Sequence, residues 1–265
     1  MSVPIIRGTA QECTGERGDA QTIVLGSSLG TTGALWDEVV PALAEHYRVL
    51  RFDLPGHALT PAAADRFSIA DLADGVIAFV DAAGGGPFHY AGISMAGAIG
   101  LELALRHPER LLNLAVICSG AKIGAAEGWL ERAAHIRANG TDDVIAGSAE
   151  RWFAPGFVER SPEVAAATLA RLGLVDDESY ALCCDALAAF DVTDEVHGIR
   201  ARTLCVSGEH DLPTPTAQLQ HLASRIPEAR HVTIAGVAHL PALERPETVA
   251  ALLLQFLEPS VRAAA

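Results

Sequence analysis

The chain has 265 residues, enough to bury one large core, and half of them are hydrophobic and a fifth charged, as in ordinary globular proteins. Its formal net charge of −14 argues against nucleic acid and anionic membranes as partners, because both bind to basic surfaces. No apolar run approaches the length of a membrane span, and no secretory signal is seen at the start of the sequence.

The cysteines indicate a reducing environment. There are five of them, an odd number, and several lie in apolar runs typical of buried strands or helices. Buried free thiols in a cytoplasmic protein are the natural interpretation. The pair Cys183-Cys184 lacks the spacing of metal ligands, so we expect no metal site.

Short apolar runs of strand type recur along the chain, and helical patterns separate most of them. The runs are continuous rather than alternating, which is typical of strands buried on both faces of a sheet. Residues 68–81 and 246–257 have apolar residues at helical spacing, the first pattern with Ser68 as N-cap. This order predicts an α/β fold, a mainly parallel sheet flanked by helices. The predicted strands are 22–25, 47–52, 88–91, 112–118, 203–206 and 231–234.

One long stretch breaks this alternation. Residues 121–190 show helical patterns, punctuated by glycine and proline, without a convincing strand. A helical lid inserted between two strands of one sheet, lying over the strand ends, is the economical interpretation. We therefore predict a core formed by residues 1–120 and 191–265 and a helical lid, or cap, formed by residues 121–190; the last three alanines are expected to fray.

The segment Gly92-Ile93-Ser94-Met95-Ala96-Gly97 lies between a predicted strand and a predicted helix. A serine on such a sharp bend projects its oxygen into a cleft, and its close neighbours must be small. It also lies at a helix N-terminus, where free N–H groups favour developing negative charge. The segment predicts that Ser94 is a nucleophile. An ordinary strand-to-helix turn is the alternative.

A serine nucleophile needs a histidine to take its proton and a carboxylate to orient that histidine. Asp211 follows a later strand and His239 follows the next, so the order Ser94, Asp211, His239 is the one that this type of fold requires. Asp211 could also be a helix N-cap or a turn residue, and Glu209 is a rival acid. The other histidines, His57 among them, lack this combination of loop position and order.

A tetrahedral intermediate also needs preset hydrogen-bond donors for its oxyanion. The backbone N–H of Met95, directly after Ser94, is one candidate. The other candidate is the N–H of Leu29, in the loop that follows the first predicted strand.

With these segments the chain resembles the α/β-hydrolase superfamily over essentially its whole length, and within it most closely the 3-oxoadipate enol-lactonases. The resemblance depends on Ser28-Leu29-Gly30-Thr31, Trp36-Asp37, Ala121-Lys122-Ile123-Gly124, Arg151-Trp152-Phe153 and the Gly-Ile-Ser-Met elbow. It implies hydrolysis of 3-oxoadipate enol-lactone to 3-oxoadipate through an acyl-enzyme, in aromatic-compound breakdown, without a metal or organic cofactor. Ala96 and Pro55 depart from that family's usual glycine and arginine.

The substrate implied by this resemblance is a small lactone or ester that carries a carboxylate, so cations in the predicted lid are of interest. Arg132, Arg137 and Arg151 are available, and we prefer Arg132, since the guanidinium fork can bind both oxygens of a carboxylate. For any one of them a solvated position on a helix face is the alternative. We also name Ser28, Trp129 and Trp152 as candidate substrate contacts, although tryptophans in this position are more often core.

Two other functions remain open at this level. The same three residues would serve a broad carboxylesterase or lactonase, or a cofactor-free perhydrolase, because specificity depends on the pocket and not on the fold. A ligand-binding protein that keeps the fold without turnover is the third possibility. Haloalkane dehalogenase and epoxide hydrolase chemistry is disfavoured, since those enzymes have an aspartate where this chain has Ser94.

Overall fold

The computed structural model describes residues 3–15 and 20–258. Seven strands form one sheet in the order β1-β3-β2-β4-β5-β6-β7, parallel throughout except for β1, which runs antiparallel to β3. The strands are β1 Arg7–Gln11, β2 Thr22–Gly26, β3 Arg48–Asp53, β4 Phe88–Ile93, β5 Leu111–Ile117, β6 Arg202–Gly208 and β7 Arg230–Ile234. The alanine tail that the sequence predicts to fray lies outside the described residues.

Eleven α-helices occur in the part of the chain that the structure describes. Their order confirms the predicted alternation of strand and helix on either side of the stretch 121–190. The helices are α1 Val40–Ala44, α2 Ile69–Ala82, α3 Met95–Arg106, α4 Ala126–Asn139, α5 Ile145–Trp152, α6 Phe157–Arg160, α7 Pro162–Leu172, α8 Asp177–Ala189, α9 Thr216–Arg225, α10 Pro241–Glu244 and α11 Pro246–Leu257.

The predicted α/β fold is correct, and the central strands have the burial that their sequences indicate. Every residue of β4 is buried, and so are four of the five residues of β2. The helix predicted at 68–81 is α2, with Ser68 as N-cap in a capping box with Asp71. β7 was expected to be buried on both faces, but it is the last strand of the sheet and four of its five residues are partly or fully exposed.

Helices α4 to α8 lie between β5 and β6 in the chain, and α4 packs along α8. Residues of α4, α5 and α8 line a cavity together with residues at the carboxyl ends of the strands. None of the helices within residues 3–15 and 20–258 is long and apolar enough to cross a membrane.

Candidate active site

Ser94 occupies a strained bend between β4 and α3. Its φ of +58° and ψ of −120° lie in a region that residues other than glycine rarely adopt. The bend is held on both sides, because the Ser94 N–H donates to the carbonyl of Ile117 at 2.9 Å and the Ser119 hydroxyl donates to the Ser94 carbonyl at 2.7 Å. The central strands β4 and β5 thus fix the predicted nucleophile at the carboxyl edge of the sheet.

The residues around this bend must be small because neighbouring atoms leave no room for larger side chains. A Cβ on Gly92 would lie 2.3 Å from the carbonyl oxygen of Ala96, and one on Gly97 would lie 2.5 Å from the Cβ of Ser119. Ala96 itself replaces the glycine usual in the enol-lactonases. Gly26, at the end of β2, makes room for it, since a Cβ there would lie 2.6 Å from the Ala96 Cβ.

His239 and Asp211 are hydrogen-bonded to each other. The Nδ1 atom of His239 lies 3.0 Å from Oδ1 of Asp211, and both side chains are buried. Asp211 also accepts from the backbone N–H of Thr214 at 3.0 Å and from its hydroxyl at 2.6 Å. Glu209, the rival acid, is exposed and accepts from the Gly236 N–H instead.

These contacts keep Asp211 ionised. Burial would raise the pKa of its carboxyl, but the charge of His239 and the hydrogen bonds from His239 and Thr214 outweigh burial and lower this pKa below its ordinary value. A carboxylate in this position fixes the imidazole with its proton on Nδ1 and leaves Nε2 available as a proton acceptor.

A cavity of about 270 Å³ opens beside these residues. From the core, its wall includes Ser28, Leu29, Ser94 and His239, which follow β2, β4 and β7 at the carboxyl edge of the sheet. Ligand sites of open parallel sheets lie at this edge. Ser94 lines the cavity, and within the described residues its hydroxyl has no hydrogen-bond partner, so the hydroxyl is free to contact a ligand. The hydrogen bond from such a serine to its histidine is often long until a ligand fills the site.

The loop that carries Ser28 and Leu29 is fixed by a buried histidine. His57 accepts from the Gly30 N–H through Nε2 at 3.0 Å and donates through Nδ1 to the carbonyl of Pro55 at 2.8 Å. Burial lowers the pKa of His57 to about 4, so the imidazole is neutral at pH 7 and can accept a hydrogen bond at one nitrogen while it donates from the other. His57 therefore braces this turn and holds the backbone next to the predicted oxyanion donor Leu29.

The helical insertion supplies other residues that line the cavity. Trp129 and Arg132 come from α4, Arg151 and Trp152 from α5, and Tyr180 from α8. The structure thus brings Ser28, Trp129, Arg132 and Trp152, the predicted substrate contacts, to the same cavity as Ser94 and His239. Met95 is fully buried at the start of α3 and does not line the cavity. The role of its N–H as an oxyanion donor therefore stays a prediction.

Two wall residues, Arg151 and Tyr180, were not among the preferred candidates. Arg151 was named only as available, and nothing in the sequence marked Tyr180, a single tyrosine in a largely apolar helix. Tyr180 accepts a hydrogen bond at 2.5 Å from the guanidinium of Arg132, whose carbon lies 5.4 Å from the centre of the tyrosine ring. Burial raises the pKa of Tyr180 to a value at which the phenol is neutral at all physiological pH.

The donor atoms of Cys118, Asp211 and His239 lie within 4.8 Å of one another, which could suit a metal ion. The chemistry of the donors fits poorly. Burial, together with the charge of Asp211, raises the pKa of the Cys118 thiol well above its ordinary value, whereas metals bind the thiolate. The Nδ1 atom of His239 is already engaged with Asp211. The cluster is therefore explained by hydrogen bonding alone.

Comparison with known proteins agrees with this architecture. The profile of the alpha/beta hydrolase fold family matches residues 21–246. The chain belongs to this family, and it is a hydrolase.

Within the family, the predicted resemblance to enol-lactonases is confirmed. The chain is 32% identical over 229 residues to 3-oxoadipate enol-lactonase 2 of Acinetobacter baylyi, covering 86% of this chain and 85% of that protein. The crystal structure of the enol-lactonase from Burkholderia xenovorans LB400 superposes with a TM-score of 0.91 at 34% identity, covering 96% of both chains. A pimeloyl-[acyl-carrier protein] methyl ester esterase of Aeromonas hydrophila is 30% identical, covering 91% of this chain and 96% of that protein.

Proposed function

We propose that the protein opens 3-oxoadipate enol-lactone to 3-oxoadipate, as one step in the breakdown of aromatic compounds. The observation that carries the proposal is the shared cavity. Ser94 and His239, which is paired with Asp211, line it together with Arg132 and Arg151, and neither arginine has an acidic partner among the described residues. The similarity of the chain to enol-lactonases supports this choice of substrate. The free cysteines support the cytoplasm as its compartment.

In the proposed mechanism, Ser94 attacks the lactone carbonyl while His239 takes its proton, and Asp211 stabilises the imidazolium that forms. The oxyanion accepts hydrogen bonds from the N–H groups of Leu29 and Met95. The ring opens to an acyl-enzyme, and the enolate leaves readily because it is a better leaving group than an alkoxide. It takes the proton from His239, which leaves the imidazole neutral and able to act as a base again. Water activated by His239 then releases the acid.

The proposed carboxylate site consists of Arg132 and Arg151. Neither arginine forms an ion pair within the described part of the chain, although acidic residues outnumber basic ones by 33 to 19. Among residues 3–15 and 20–258, the buried Nε atom of Arg132 has no hydrogen-bond partner, and the only hydrogen bond of the Arg151 side chain goes to the hydroxyl of Ser148, at 3.0 Å. By contrast, Arg137, the third candidate from the sequence, is occupied by Glu178 and Asp185 on the surface.

The charge of Arg132 also acts on the guanidinium of Arg151. Burial, followed by the positive charge of Arg132, lowers the pKa of Arg151 below its ordinary value. A carboxylate between them would relieve this repulsion and satisfy the free N–H of Arg132. Charge-assisted hydrogen bonds of this kind are the strong ones.

The substrate is tested by comparing kcat/KM for the enol-lactone with kcat/KM for short p-nitrophenyl esters. We expect the lactone to be preferred by at least ~100-fold, because two charge-assisted contacts contribute about 3 kcal/mol. A large preference for the simple esters would overturn the proposal and identify a carboxylesterase. Saturable binding of the lactone without hydrolysis would identify a binding protein.

Replacement of Arg132 by alanine tests the carboxylate site. We expect Arg132→Ala to raise KM for the anionic lactone ~10- to 100-fold and to change KM for a neutral ester less than ~3-fold. Arg137→Ala, on the same helix, is the matched control and should change neither value. Equal effects of Arg132→Ala on both substrates would remove Arg132 from the site.

A further inference from the structure

Glu244 is a half-buried carboxylate on the short helix α10, five residues after His239. Each of its oxygens accepts one backbone N–H, and the two N–H groups come from distant parts of the chain. Oε1 accepts from Ala238 at 2.7 Å, and Oε2 accepts from Ala154 at 3.0 Å. Ala238 directly precedes His239, whereas Ala154 follows α5 of the helical insertion. One side chain therefore joins the histidine loop to the insertion.

A third hydrogen bond runs beside these two. The backbone N–H of His239 donates to the carbonyl of Trp152 at 3.2 Å. Trp152 lines the cavity from the insertion, and His239 lines it from the core. The segment 152–154 and the loop 238–239 are thus tied by three contacts, two of which end on the same carboxylate.

Both oxygen atoms of the Glu244 carboxylate are needed as hydrogen-bond acceptors. Burial raises the pKa of Glu244, although the two N–H groups and the charges of Arg160 and His210 lower it in part. A neutral amide of the same shape has only one acceptor oxygen, and its NH₂ group would face a second donor. An N–H that loses its partner in a buried position costs about 1–3 kcal/mol.

We propose that Glu244 is a positioning residue, whose carboxylate sets the place of the His239 imidazole and of the Trp152 wall as one unit. It touches no reacting atom and acts through its two backbone partners. The proposal rests on the proposed function only in taking Ser94 as the nucleophile and His239 as the proton acceptor. A displacement of about 1 Å at such a group costs up to ~100-fold in rate, so a small shift of the loop has a measurable effect.

The test is Glu244→Gln, assayed on a neutral p-nitrophenyl ester, with the active sites counted by titration with a fluorophosphonate that labels Ser94. We expect kcat per titrated site to fall ~10- to 100-fold, with KM changed less than ~3-fold. The downfield proton NMR signal of the Nδ1–H of His239 should shift or broaden. Glu247→Gln, an exposed glutamate on α11, is the matched control and should leave all three readouts unchanged.

Two results would overturn this inference. One is a normal kcat per titrated site in Glu244→Gln, even if fewer molecules fold, since that is the signature of a merely structural residue. The other is an unchanged NMR signal. If the glutamine variant does not fold, Glu244→Asp, which keeps the charge but is too short to reach both N–H groups, should show the same loss in kcat. The NMR signal reports on His239 whether or not Ser94 is the nucleophile, so this inference and the proposed function fail separately.

Discussion

Replacement of Ser94 by alanine is expected to lower kcat for any ester or lactone substrate by at least ~1000-fold, because the acyl-enzyme can no longer form. The thermal midpoint should stay nearly unchanged. The Ser94 hydroxyl has no hydrogen-bond partner among the described residues, and the contacts that hold the bend are made by its backbone. Initial rates and a thermal melt of the purified variant are the measurements.

A matched control for this variant is Ser224→Ala, on an exposed turn of α9, which should leave kcat and KM unchanged. A near-normal rate in Ser94→Ala would end the serine mechanism. A lost rate together with a large fall in the thermal midpoint would show that the bend itself had collapsed. In that case the loss of labelling by a fluorophosphonate in Ser94→Gly would carry the test.

The substitution Asp211→Asn is expected to lower kcat ~1000- to 10,000-fold, the range found for the acid of such triads. An asparagine preserves the shape of the side chain, and its amide can still meet Thr214, but the negative charge that stabilises the His239 imidazolium is lost. Because the pKa of Asp211 is lowered in the fold, the wild-type carboxylate is ionised at mildly acidic and neutral pH. The deficit should therefore be present across that whole pH range in a profile of kcat.

The control is Glu209→Gln, two residues earlier, whose carboxylate contacts the Gly236 backbone and not His239. It should lower kcat less than ~3-fold. If Glu209→Gln produced the large loss and Asp211→Asn the small one, Glu209 would be the acid, and the pairing of His239 with Asp211 would be irrelevant to the reaction.

The central strands could be predicted because burial on both faces leaves a continuous apolar run, as in β2 and β4. The strand β1 was not predicted, because it lacks such burial. Its residues Arg7-Gly8-Thr9-Ala10-Gln11 are mostly exposed, and its place at the antiparallel edge of the sheet depends on pairing with β3. An edge strand of polar composition leaves no periodic signal of its own.

The α/β class, the sharp bend at Ser94 and the chain order of Ser94, Asp211 and His239 could be predicted from the amino-acid sequence, because each depends on residues that are neighbours in the chain or on strand order alone. Three features are seen only in the folded chain: Asp211 is the carboxylate that binds His239, Arg151 and Tyr180 line the cavity with Arg132, and Glu244 connects the histidine loop to Ala154, 90 residues away. Such contacts form when helices of the insertion pack against the core, and this packing cannot be inferred from the spacing of residues along the chain.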